Sequence, residues 1–139
     1  MSLDNSVTKL LSELELKKGI TEIIINSPES VYIERAGELI QLSTDITKED
    51  IMIFCQSVAK YNRLSFDKDN PILDGNLPDG SRVNIISPIY TGGSPAITIR
   101  KYLHSISNFD SLEGKFGLTD KWIKLFKCMV QSKMNIIVS

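Results

Sequence analysis

Between Thr21 and Arg100 the chain alternates short apolar segments with turns rich in glycine, proline and aspartate. The clearest case is Val31–Arg35, where apolar and polar residues alternate; the turn Ala36-Gly37 and the segment Glu38–Leu42 follow it. This pattern predicts a β-hairpin, because side chains of a strand point alternately to two faces and glycine permits a tight turn. We therefore expect a mostly antiparallel β-sheet.

Three further segments are predicted to be strands. They are Thr21–Ile25, Arg82–Ile86 and Ala96–Arg100. Asn26-Ser27-Pro28 should turn the chain after the first of them, and Thr91-Gly92-Gly93-Ser94 should form a flexible loop before the last. Residues 63–101 are rich in aspartate, proline and glycine interleaved with short strands, and Asp74-Gly75 and Asp79-Gly80 are predicted to be turns.

Helical periodicity appears before, within and after this β-rich region. A first helix is predicted to begin at Ser6 and to run to Lys18. A second should begin after the N-cap Thr47, with Asp50 completing a capping box, and end near Tyr61-Asn62. Its buried face is predicted to consist of Ile51, Phe54, Cys55, Val58 and Ala59. A third should begin near Thr119, with an apolar face formed by Trp122, Ile123, Leu125, Phe126, Met129 and Val130.

Asn135–Ser139 is a continuous apolar run, the pattern of a buried parallel strand. We expect it to be the first strand of a separate domain. The predicted organisation is an N-terminal helix at residues 1–18, an α+β core at 19–118, and a helix plus this strand at 119–139. Residues 103–118 are predicted to be irregular, anchored by Leu112 and Phe116.

Composition excludes several classes of protein. The net charge is −1, and the aromatic residues are too scattered for a stacking platform, so nucleic-acid binding is not expected. The segment 1–5 has neither the basic nor the apolar part of a signal peptide. Cys55 and Cys128 are expected to be buried, reduced thiols, and His104 has no nearby metal-ligand partner. No metal site is predicted.

Several stretches, in order, resemble the type II/type IV secretion ATPases and the CpaF branch in particular. They are Gly19–Pro28, Val31–Gly37, the segment Asn70–Asn84 with its Leu-Pro-Asp-Gly-Ser-Arg-Val motif, Ile97–Lys101, and Met134–Ser139, which resembles the strand before that family's P-loop. The resemblance covers residues 19–139. The phosphate-binding Gly-Lys-Thr loop itself is absent, so the 139 residues alone should not hydrolyse ATP.

The resemblance implies an α+β, PAS-like N-terminal domain of a homohexameric ATPase for secretion or pilus assembly. Its partners would be its own C-terminal ATPase domain and an inner-membrane assembly platform. The full-length protein would use ATP with Mg²⁺ in the cytoplasm, peripheral to the inner membrane. Two alternatives stay open: a protein-interaction module that docks to the platform without touching nucleotide, and a small-ligand sensor domain.

Arginine side chains are the candidate phosphate-binding groups of this region. The resemblance places Arg82 and Arg100 at positions that contact the phosphates of ATP; Arg63 and Lys101 are weaker candidates. A guanidinium group suits this role because it can contact two phosphate oxygens at once. The alternative is that Arg82 and Arg100 face solvent or form ion pairs with Asp74 and Asp79.

Overall fold

The computed structural model describes residues 6–15, 19–101, 112–115 and 117–137. The chain divides into two compact units, Met1–Tyr102 and Leu103–Ser139, and each is described by itself. In chain order the elements are α1 (Ser6–Glu15), β1 (Ile20–Ser27), β2 (Ser30–Arg35), β3 (Glu38–Leu42), α2 (Lys48–Asn62), β4 (Ile72–Asn76), β5 (Arg82–Ile86), α3 (Pro88–Thr91), β6 (Ala96–Arg100) and α4 (Asp120–Gln131).

The six strands form one sheet in the order β3-β2-β1-β6-β5-β4, and every neighbouring pair is antiparallel. The predicted α+β class is confirmed. The predicted hairpin is confirmed as well, because Arg35 lies opposite Glu38 on either side of the Ala36-Gly37 turn. Ala36 and Gly37 both have positive φ, 54° and 83°, which is the backbone conformation that a tight hairpin turn requires.

The hydrophobic core lies on one face of this sheet. Each strand other than the edge strand β3 contributes alternate apolar side chains to it, and α1 and α2 supply the opposite layer. The buried sheet residues are Ile20, Ile23, Ile25, Val31, Ile33, Leu73, Val83, Ile85, Ile97 and Ile99, and the buried helix residues are Val7, Leu11, Leu14, Ile51, Phe54, Cys55, Val58 and Ala59. Each large side chain buried here contributes about 1.5–3 kcal/mol to folding, which holds the sheet in register under the helices.

Helix α2 begins as its sequence predicts. The hydroxyl of Thr47 accepts a hydrogen bond from the backbone N–H of Asp50 at 3.1 Å, and the Asp50 carboxylate accepts one from the N–H of Thr47 at 3.0 Å. This reciprocal capping box satisfies two backbone donors that the first helical turn leaves without partners. The helix ends at Asn62, and the five residues predicted for its buried face are all buried.

Strand β4 was not predicted, because Pro71, Asp74 and Gly75 are poor strand formers. It forms at the sheet edge because α2 and β5 hold it from two sides. The Asn62 side chain donates to the backbone oxygen of Asn76 at 3.0 Å and accepts from its N–H at 2.9 Å. Gly75 permits this approach, since a Cβ there would lie 2.8 Å from the Asn62 amide. Tertiary contacts thus override local propensity.

Two turns also differ from the prediction. Strand β1 continues to Ser27, so the chain turns at Pro28-Glu29 rather than over Asn26–Pro28, because pairing with β2 extends to Ser27 opposite Ser30. The predicted loop at Thr91–Ser94 begins one residue later, because Thr91 is the last residue of the one-turn helix α3, which Gly92 ends at a φ of 75°. The predicted end of α1, residues 16–18, lies outside the described residues.

The second unit contains α4, which begins at Asp120 as predicted. Of its predicted apolar face only Ile123 is buried, and Trp122 and Val130 are more than half exposed. The strand predicted at 135–139 as part of a separate domain stays a prediction: residues 134–137 pair with no strand among the described residues, and Ile137 is 94% exposed. A strand requires a hydrogen-bonding neighbour, and the described part of this unit offers none. Phe116, Val138 and Ser139 lie outside the described residues.

Candidate anion-binding site

The face of the sheet opposite the core, called the open face below, carries mostly polar side chains that remain at least partly exposed. Four of them form what we call the charged row, which crosses four neighbouring strands. In spatial order the row is Glu34 in β2, Glu22 in β1, Arg100 in β6 and Arg82 in β5, each directly opposite the next in the strand register. Along the charged row, two acidic residues are therefore followed by two arginines.

The two arginines predicted to bind phosphate are cross-strand partners. Directly opposite side chains in an antiparallel pair have Cβ atoms about 4.5–5.5 Å apart, and like charges so placed repel. Arg100 is partly compensated, since its guanidinium nitrogen lies 3.6 Å from a carboxylate oxygen of Glu22. Arg82 is exposed and forms no ion pair within the described ranges. Arg82 therefore has no ion-pair partner among the described residues, although the four charges of the row sum to zero.

A shallow pocket of about 220 Å³ is lined by both arginines. We call it the arginine pocket, and its lining residues are Glu22, Asp74, Arg82, Val83, Asn84, Thr98 and Arg100. Asp74 is an acid near Arg82, but its carboxylate accepts a 2.8 Å hydrogen bond from the Asn84 amide instead. The guanidinium N–H groups thus remain available to a ligand with several oxygen acceptors, such as a phosphate chain.

The other proposed partner of the arginines, Asp79, is engaged elsewhere. Its carboxylate accepts hydrogen bonds from the Lys101 ammonium at 2.7 Å and from the N–H and hydroxyl of Ser81 at 2.9 and 2.6 Å. Burial by itself would raise the pKa of Asp79, but these hydrogen bonds outweigh burial and lower the pKa to about 2. Ion pairs of Arg82 with Asp74 or Asp79 are therefore not formed.

The two weaker candidates do not join the arginine pair. Lys101 lies one residue beyond Arg100, its side chain is 17% exposed, and it pairs with Asp79 beside a different pocket that α1 and α2 also line. Arg63 ends α2 in a left-handed conformation with a φ of 57°, in the helix layer that covers the core face. Neither residue lines the arginine pocket.

Among the cysteines, Cys55 is buried as predicted, and burial raises the pKa of its thiol to about 12. Cys128 is exposed, contrary to the prediction, because it lies outside the small buried part of α4. His104 lies outside the described residues. Within the described ranges, no group of three or more histidine, cysteine, aspartate or glutamate side chains is placed to hold a metal ion, and no helix is long and apolar enough to cross a membrane.

Sequence reasoning identified the arginines and considered Asp74 as an ion-pair partner, but it did not identify Glu22, Asn84 or Thr98 as their neighbours. Asn84 and Thr98 lie two residues from Arg82 and Arg100, so the two-residue period of a strand places them on the same face. The sequence alone therefore could have predicted that Asn84 and Thr98 share a face with the arginines. Glu22 could not be found in this way, because its place beside Arg100 depends on strand order and register, which local patterns do not specify.

Comparison with known proteins gives the wider context of this fold. No family model matches the chain. It is 27% identical over 122 residues to conjugal transfer protein TrbB of Rhizobium radiobacter, an alignment covering 86% of this chain and 37% of TrbB. It is 31% identical over 106 residues to type IV secretion system protein VirB11 of Bartonella henselae, covering 70% of this chain and 30% of VirB11. The chain thus spans about a third of the length of these relatives.

A solved structure shares the fold. The VirB11 ATPase of the Brucella suis type IV secretion system, crystallised with sulphate, superposes with a TM-score of 0.65 at 23% identity, covering 92% of this chain and 42% of that one. The class is therefore an α+β domain of the type found in that ATPase. Together with the sequence matches, this relates the chain by homology to the TrbB and VirB11 proteins of type IV secretion.

Proposed function

We propose that the chain is the N-terminal domain of a homohexameric secretion or pilus-assembly ATPase, and that Arg82 and Arg100 contact the phosphates of bound ATP. The observation that carries the proposal is the charged row. It holds the two arginines side by side on the open face, with Arg82 unpaired among the described residues. The assignment to the CpaF branch rests on the motif residues alone.

The chemistry of the arginine pocket fits a phosphate chain. Two guanidinium groups on neighbouring strands offer several N–H donors in fixed planes, and an anion between them would relieve their mutual repulsion. In phosphoryl transfer, an arginine from a second domain or subunit stabilises the negative charge on the transferred group. The sheet would thus supply charge and position, whereas the groups that perform hydrolysis would come from elsewhere.

The source of those groups would be the protein's own ATPase domain. The 139 residues contain no Gly-Lys-Ser/Thr phosphate loop, so this region alone should be inactive. We place residues 119–139, which include α4, with the ATPase domain that would hold ATP and Mg²⁺. In the ring, movement of the N-terminal domains on ATP turnover would be transmitted to an inner-membrane platform from its cytoplasmic side.

The test uses this chain joined to the ATPase domain that follows it in the whole protein. Loss of one charge-assisted contact costs about 1.5–3 kcal/mol, so Arg82→Ala and Arg100→Ala should each lower kcat/KM about 10- to 100-fold. Arg63→Ala is the matched control, because it removes an exposed arginine from the helix layer and should leave kcat/KM unchanged. Hydrolysis unaffected by both Arg82→Ala and Arg100→Ala would reject phosphate contact.

The second candidate is a platform-docking module that never contacts nucleotide. One observation favours it: the edge strand β3 exposes Leu39 at 65% and Ile40 at 41%, a combination suited to another protein. Under this alternative, Leu39→Lys would abolish platform binding in a pull-down with the purified platform protein. Arg82→Ala and Arg100→Ala would then leave ATP hydrolysis unchanged.

A further inference from the structure

Glu22 occupies a special position within the charged row. It lies between Glu34, a residue of like charge, and Arg100, a residue of opposite charge, with direct cross-strand pairing to both. Its side chain is 20% exposed, whereas that of Arg100 is 77% exposed. Glu22 is therefore the more buried member of the pair, and most of the Arg100 side chain lies in solvent.

The contact between them is close enough to compete with a ligand but too weak to exclude one. Their charged atoms are 3.6 Å apart, beyond the 2.7–2.9 Å typical of a charge-assisted hydrogen bond. Exposed ion pairs of this kind contribute little to stability. Glu22 also lines the arginine pocket, so an anion seated there would meet its carboxylate directly.

We propose that Glu22 is an intramolecular counter-ion that competes with phosphate for Arg100 and thereby sets the affinity of the arginine pocket. Without ligand, the Glu22 carboxylate holds the Arg100 guanidinium over β1. When a phosphate chain enters, Arg100 turns from Glu22 towards the ligand and Arg82. This inference rests on the proposed function, because it presupposes that the two arginines bind phosphate.

The row offers its own control for this idea. Glu34 carries the same charge as Glu22 and lies in the same row, but it lies two strands from Arg100 rather than one. Glu34→Gln therefore removes the same charge from the open face without removing the counter-ion. A long-range electrostatic effect should appear in both variants, whereas competition for Arg100 should appear only in Glu22→Gln and only while Arg100 is present; direct repulsion of the anion by Glu22 would persist without Arg100.

The experiment titrates the 139-residue chain with sodium triphosphate. Binding is measured by calorimetry and by the NMR shifts of the arginine side-chain N–H groups. Removing a competing exposed ion pair should tighten binding about two- to fivefold in Glu22→Gln, with a clearly smaller effect in Glu34→Gln. In an Arg100→Ala background, Glu22→Gln should have no more effect than Glu34→Gln. If Glu22→Gln does not fold, Glu22→Asp shortens the carboxylate and should also tighten binding.

The outcomes separate the two levels of the proposal. If triphosphate binding depends on the arginines but its affinity is the same in the unsubstituted chain and in Glu22→Gln, the role of Glu22 is overturned. The phosphate site is then kept. Equal tightening by Glu34→Gln overturns the role of Glu22 as well, because the effect would then be general. Triphosphate binding that ignores Arg82→Ala and Arg100→Ala overturns the phosphate site itself.

Discussion

The contact between Asn62 and strand β4 yields a prediction about coupled substitutions. Asn62 makes three side-chain hydrogen bonds, to the backbone oxygens of Val58 and Asn76 and from the N–H of Asn76, at 2.9, 3.0 and 2.9 Å. Because these groups border solvent, water replaces part of what is lost in Asn62→Ala. We expect the free energy of unfolding to fall by about 1–2 kcal/mol.

The neighbouring Gly75→Ala should cause similar damage by the same route. The added Cβ would lie 2.8 Å from the Asn62 amide, so that side chain must move and give up its hydrogen bonds. In the Asn62→Ala background the obstacle is gone. Gly75→Ala should then be nearly neutral, which makes the two substitutions strongly non-additive, with a coupling of about 1 kcal/mol or more.

Urea denaturation of the four proteins in this cycle measures the coupling, with Asn26→Ala as the control. Asn26 is an exposed asparagine on β1 whose side chain makes no hydrogen bond within the described residues, so its substitution should change stability by less than about 0.5 kcal/mol. Additive effects of Asn62→Ala and Gly75→Ala would refute the mechanism. They would show that glycine is required at position 75 for its backbone conformation, and not because the Asn62 side chain approaches it closely.

Two further predictions concern titratable groups. The pKa of Asp79 is about 2, below its ordinary 3.8, so its ionised form stabilises the fold; Asp79→Asn should cost about 1 kcal/mol at neutral pH, and this difference should shrink as pH falls from 3.8 towards 2, as measured by thermal unfolding. A difference that instead grows on acidification would contradict the Lys101 pairing. For the thiols, a maleimide reagent should label exposed Cys128 in the folded chain and leave buried Cys55 unlabelled until urea is added; rapid labelling of Cys55 without urea would contradict its burial.

Local sequence patterns predicted those helices and strands whose residues have a local propensity for the structure that they adopt. The capping pair Thr47 and Asp50 specified where α2 begins, and the turn Ala36-Gly37 specified the hairpin. Strand β4 was missed because it contradicts local propensity and forms only where Asn62 and β5 meet it. The run from residue 135 stays a prediction, because the strands with which it would pair are expected in a separate domain, and a strand forms only with a hydrogen-bonded neighbour.

The sequence by itself determined the α+β class and the buried face of α2, whereas the choice of Arg82 and Arg100 as candidate residues came from the family resemblance. The fold class and the helix face follow from residue type and short-range periodicity, which can be read directly from the sequence. Only the tertiary structure decided that the two arginines lie opposite one another, that Lys101 is turned to Asp79, and that Glu22 stands beside Arg100. Strand order and register arise from pairing segments far apart in sequence, so no local pattern could supply them.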